Sequence, residues 1–173
     1  MDIAKPGWVS SGVAVEPDGV NFSKGPEMTK DGAWMLFWSV DGVFADPCGH
    51  VEGPVLSPSA ADLAAAVAAL PGTSLVTGPT DVTVGGNAAT YVEITIPDDI
   101  GCAPDQFYLW YDAAGCGTAS HCYRWASALG ETNRVWIVKV GGQYVWIEGE
   151  TYKGAGPEVQ QEIRQIVDSI RFD

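Results

Sequence analysis

Apolar and polar positions alternate most clearly between Arg134 and Thr151, RVWIVKVGGQYVWIEGET, where two apolar runs meet at Gly141-Gly142. A Gly-Gly pair between such runs supplies the positive φ of a two-residue hairpin turn. That turn predicts Val140 opposite Gln143, Val138 opposite Val145, Trp136 opposite Ile147 and Val135 opposite Glu148. Successive side chains leave a strand on opposite sides. One face therefore carries Trp136, Val138, Val145 and Ile147 and reads as core. The other carries Val135, Ile137, Tyr144, Trp146, Glu148 and Glu150, apolar in the middle and acidic at one end. A hairpin apolar on both sides belongs in a sheet covered twice, or covered once and holding a ligand on its other face.

Similar patterns mark the remaining elements. Gly7 to Ser23 predicts an opening hairpin turning at Pro17-Asp18-Gly19, and Ala33 to Ala45 a second one turning at Asp41-Gly42. A third, DVTVGGNAATYVEITIP, turns at Gly85-Gly86-Asn87. Phe107 to Tyr111 (FYLWY) reads as a short aromatic strand, with another near His121 to Ser127. Ser59 followed by Asp62 opens a helix with Leu63, Ala66, Val67 and Leu70 on one face, stopped by Pro71-Gly72. Pro157 opens a second helix, whose stripe is Val159, Ile163, Ile166, Val167 and Ile170. The expected fold is α+β: an antiparallel sheet of about seven to nine strands with two helices packed on it, in one domain spanning residues 1–173.

Charge narrows the partners. Nine basic residues face 22 acidic ones, a formal net charge of −13, which repels nucleic acid and anionic headgroups. Neutral or apolar small molecules, glycans or a basic protein suit this surface better. No apolar run reaches the ~20 residues of a membrane-spanning helix. Four cysteines, Cys48, Cys102, Cys116 and Cys122, predict two disulfides and an oxidising compartment. Cys116 and Cys122 flank one glycine-rich loop, so pairing them and leaving Cys48–Cys102 is the first choice among three connectivities. Met1 to Lys5 lacks the apolar stretch of an export signal, so the chain is expected to be a mature extracytoplasmic domain.

The order of elements, the DVTVGGNAATYVEITIP segment and the ending Ile166-Val167-Asp168-Ser169-Ile170-Arg171-Phe172 resemble PsbP-like α-β-α sandwich domains. Trp38-Ser39-Val40 through Asp46-Pro47-Cys48, with Arg134-Val135-Trp136-Ile137, is more similar still to secreted domains and lipoproteins of actinobacteria. The resemblance implies extracytoplasmic placement and a role in binding or assembly, with no catalytic residues and no cofactor. Where such domains place an aromatic residue two positions after the Asp-Pro-Cys cysteine, this chain has His50.

Three constellations could carry chemistry. Tyr108 and Trp110, Tyr123 and Trp125, and Tyr144 and Trp146 each share a strand face if pairing is regular, and six aligned rings would form a stacking platform. The expected ligand-binding set is Tyr108, Trp110, Trp125, Tyr144 and Trp146, rimmed by Glu148 and Glu150. Rings filling the core beneath a helix are the competing reading. The catalytic alternative is Glu148 as general acid or base with Glu150 or Asp112. The metal alternative joins His50 and His121 with Asp46 or Asp105; Asp98, Asp99 and Asp105 lack the spacing of a calcium loop. GxSxG, phosphate-loop and dinucleotide motifs are all missing. Asn21-Phe22-Ser23 is formally a glycan acceptor triplet.

Overall fold

The hairpin at Gly141-Gly142 forms with the register that its alternation predicts. β10 (Thr132–Val140) and β11 (Gln143–Thr151) pair through Val140–Gln143, Val138–Val145, Trp136–Ile147 and Val135–Glu148. Both turn glycines take positive φ, 57° and 89°. The computed structural model describes residues 6–10, 20–55, 59–113 and 123–172. Elsewhere the chain runs through β1 (Trp8–Ser10), β2 (Val20–Lys24), β3 (Ala33–Trp38), β4 (Gly42–Asp46), β5 (Val51–Glu52) and α1 (Ala60–Ala68). β6 (Ser74–Val84), β7 (Asn87–Thr95), β8 (Tyr108–Tyr111) and β9 (Tyr123–Trp125) follow, and α2 (Pro157–Ser169) comes last.

The fold is α+β, with antiparallel strands. A seven-stranded sheet has the order β1-β2-β3-β11-β10-β7-β6, and a four-stranded sheet the order β5-β4-β8-β9. The expected single sheet is thus two. The departure begins at Asp41-Gly42, where a hairpin was expected. β3 pairs instead with β2 and β11, and β4 with β5 and β8. The Asp41 amide donates to Tyr111 O at 2.9 Å, and its carboxylate accepts from Ala113 N at 2.8 Å. The Asp-Gly pair therefore carries the chain from one sheet to the other.

Two cores flank the large sheet. On one face, Trp136, Val138, Ile147 and Met35 pack against Ile163, Ile166, Val167 and Ile170 of α2 and its end. Each fully buried isoleucine contributes about 1.5–3 kcal/mol. Gly149 permits the close approach, because a Cβ there would lie 2.6 Å from Ile163 Cγ2. On the other face, Val92, Ile94, Val135, Ile137 and Trp146 pack against Leu63, Ala64 and Val67 of α1 and against Leu109 and Trp110 of the small sheet. The hairpin apolar on both sides is roofed on both. Ser59 caps α1, its Oγ accepting from the Asp62 amide at 3.3 Å, and Pro157 occupies the first turn of α2.

Cys48 and Cys102 form a disulfide. The expected Cys116–Cys122 pair, His121 and the Pro17-Asp18-Gly19 turn lie outside the described residues, although β1 and β2 pair antiparallel as expected. Asn21 is buried within β2 and is not an accessible glycan acceptor. Among the described residues no helix is long and apolar enough to cross a membrane.

Candidate functional site

The six rings expected to make one platform are divided among three places. The cause lies in β8, where the register against β9 shifts between Tyr108–Trp125 and Trp110–Arg124. A bulge of this kind puts an extra residue on one strand and breaks the two-residue alternation. Leu109 and Trp110 both enter the core, while Tyr108 joins a cluster on the outer side of the small sheet. Tyr108 and Trp110, expected on one face, are on opposite faces.

On the inner side, Trp110 and Trp146 meet across the two sheets with ring centroids 5.2 Å apart. Glu148 and Glu150 share a strand face and lie beside them. All four are buried, with exposures of 0%, 2%, 0% and 1%. They occupy the interior. Arg124 reaches them from β9, whose alternation turns it inward between Tyr123 and Trp125. Its Nε donates to Glu148 Oε1 at 3.1 Å, and its Nη2 donates to Glu150 Oε2. Trp110 Nε1 donates to the second oxygen of Glu148 at 3.2 Å.

Glu131 joins the same group. It accepts the Ser127 and Ala128 amides at 2.7 and 2.9 Å and the Asn133 side-chain amide at 2.9 Å. Three buried carboxylates thus share one guanidinium. Burial pushes the Glu148 carboxyl up to about 7, Arg124 opposing and Glu150 adding to the rise. Burial, then the charge of Glu150, pushes Glu131 up as well, against Arg124 and the amide donors. For Arg124, burial works against its charge, but Glu150, Glu148 and Glu131 outweigh it and the guanidinium stays charged. A carboxyl near neutrality suits acid–base work; Glu148 has no exposed surface in this arrangement. Asp112, its suggested partner, is also buried and accepts from Ser39 Oγ.

On the outer side, Tyr108 stacks on Tyr123 with centroids 5.6 Å apart and meets Trp125 at 6.5 Å. Phe44, 1% exposed, lies edge-on beneath Tyr108, Tyr111 and Tyr123. His50 lies flat on Tyr108, with centroids 3.9 Å apart and planes 8° from parallel. Its Nε2 is 3.0 Å from Gln106 O. His50 holds a φ of 56°, the left-handed region that non-glycine residues enter at some cost. Tyr108 and Tyr123 are half-buried, and Trp125 is 39% exposed.

Tyr144 stands at the margin of the inner core. It is half-buried opposite Lys139, and both line a groove of about 340 Å³ with Ala60, Asp81 and Thr90. Among the described residues no three His, Cys, Asp or Glu side chains are placed to hold a metal ion.

Arg124, Glu131 and the stacking role of His50 were not foreseen. The alternation of Tyr123-Arg124-Trp125 could have shown Arg124 facing away from its aromatic neighbours; Glu131 gives no comparable signal. The sequence matches no protein-family model and no curated protein, so the arrangement is read from its own chemistry.

Proposed function

We propose that this chain is an extracytoplasmic binding domain whose ligand lies on the outer aromatic face of the small sheet. The observation that carries this reading is the partly exposed ring cluster of Tyr108, Tyr123 and Trp125 with His50 stacked on it. Aromatic faces stack on flat, weakly polar surfaces, so the ligand class is a neutral molecule with an apolar face, a sugar ring above all. The buried carboxylate cluster serves this face from below: Arg124 ties β9 to β11 and holds Tyr123 and Trp125 in place.

The Cys48–Cys102 disulfide supports an oxidising compartment. It also anchors the turn that presents His50. A PsbP-like domain of the actinobacterial secreted or lipoprotein type is consistent with this role. Neutral soluble glycans should change tryptophan fluorescence saturably, and Trp125→Ala should abolish the change. No response across a broad glycan panel would reject the proposal.

A further inference from the structure

Helix α2 leaves part of the large sheet uncovered. Where it passes β6 and β7 there remains a groove of about 240 Å³. Trp136 and Tyr91 line its apolar floor, their ring centroids 5.0 Å apart. Val84 and Val167 add apolar wall, and Arg164 and Asp168 bring charge from α2. The helix turns Ile163, Ile166 and Val167 into the core, which puts Arg164 and Asp168 one turn apart on its flank.

Like Lys139, neither charge enters an ion pair among the described residues. Among the described basic residues, Lys24, Lys30, Arg124, Arg134 and Lys153 each pair with a carboxylate. Arg171 donates to backbone carbonyls of Asp168 and Ile170. Arg164 has no ion-pair or hydrogen-bond partner among the described residues, and neither does the Asp168 carboxylate. An arginine preceding an acid by four residues is the weaker order for pairing along a helix. The Arg164 charge nevertheless acts on the Tyr91 phenol, so it lies close to the aromatic floor. A positive and a negative group, each unpaired among the described residues, stand beside an apolar floor.

We propose that this groove binds a small zwitterion, an α-amino acid with an aromatic or branched apolar side chain. The ligand carboxylate meets the Arg164 fork, its ammonium meets Asp168, and its side chain lies against Trp136, Tyr91 and the valines. A volume of about 240 Å³ is below the range of drug-sized pockets and suits a molecule of this size. The site is separate from the outer aromatic face and does not depend on it.

The test is a titration of the isotope-labelled protein with L-phenylalanine and L-leucine, followed by amide NMR. Phenylpropionate, lacking the amine, and phenethylamine, lacking the carboxylate, are the controls. The expected result is saturable shifts confined to β6, β7, β10 and α2, with both controls binding about tenfold or more weakly, as loss of one charge-assisted contact implies. Arg164→Gln and Asp168→Asn, both at exposed positions, should each weaken binding similarly while leaving the spectrum otherwise folded. No saturable shift at millimolar ligand, equal binding of either control, shifts centred on β8 and β9, or unchanged affinity in Arg164→Gln would each overturn the proposal.

Discussion

Strands β8 and β9 supply aromatic residues to both faces of the small sheet, and the faces differ in what surrounds the rings. Inside, Trp110 packs on Trp146 and donates to Glu148, with no exposed surface. Outside, Tyr108, Tyr123 and Trp125 contact one another and keep part of their surface open. One bulge in β8 assigns neighbouring rings of the same strand to these different environments. Residue type and spacing therefore do not tell a binding ring from a core ring; the local register does. The charges divide in the same way, since Arg124, between two outward rings, carries the positive group that is placed, among the described residues, against Glu148 and Glu150.

The largest test of this contrast is Arg124→Met. It leaves buried carboxylates without their counter-charge, and removing one partner of a buried pair costs about 3–5 kcal/mol. Chemical denaturation should show a loss of that order; a loss near zero would mean that the cluster does not clamp the two sheets. Trp110→Ala should cost a similar ~3–5 kcal/mol through the cavity it opens. Trp125→Ala, on the outer face, should cost no more than about 0.5–1 kcal/mol. Equal losses at the two tryptophans would erase the distinction between the faces.

A smaller effect follows from the raised carboxyls. Glu148 stands at about 7 in the folded protein against an ordinary value of 4.5, and Glu131 is raised too. The folded state holds these protons more tightly than the unfolded chain. The stability they contribute is full below the unfolded value and is lost as pH rises through the folded values. The melting temperature should fall by about 5 °C or more from mildly acidic to mildly alkaline pH, a few kcal/mol in a chain of this size. Glu148→Gln, which mimics the protonated form, should remove part of that slope. A profile unchanged by this substitution would show that Glu148 does not hold the proton.

Much of the architecture was legible because it is local. Gly141-Gly142 and Gly85-Gly86 specify their hairpins through turn chemistry, and alternation then sets every pair in β10 and β11. Ser59 and Pro157 mark helix starts for equally local reasons. The partition into two sheets was not legible, because Asp41-Gly42 signals a turn without saying which strands the turn will join. The division of the rings was missed for a similar reason. The bulge at Tyr108–Trp110 depends on pairing with Tyr123-Arg124-Trp125, which no local pattern specifies. The gathering of Glu131, Glu148, Glu150 and Arg124 is likewise a product of long-range pairing. The shared strand face of Glu148 and Glu150, and Arg124 facing away from its aromatic neighbours, could be read beforehand; their meeting could not.

The central claim is that the outer rings bind a ligand and the inner ones do not. A single titration of wild-type protein, Trp125→Ala and Trp146→Phe with a panel of neutral glycans tests it most directly, with tryptophan fluorescence as the readout. The expected result is saturable binding that Trp125→Ala eliminates and Trp146→Phe, which keeps an aromatic ring in the core, preserves. Binding that survives Trp125→Ala, or a panel that produces no response in the wild type, would contradict it.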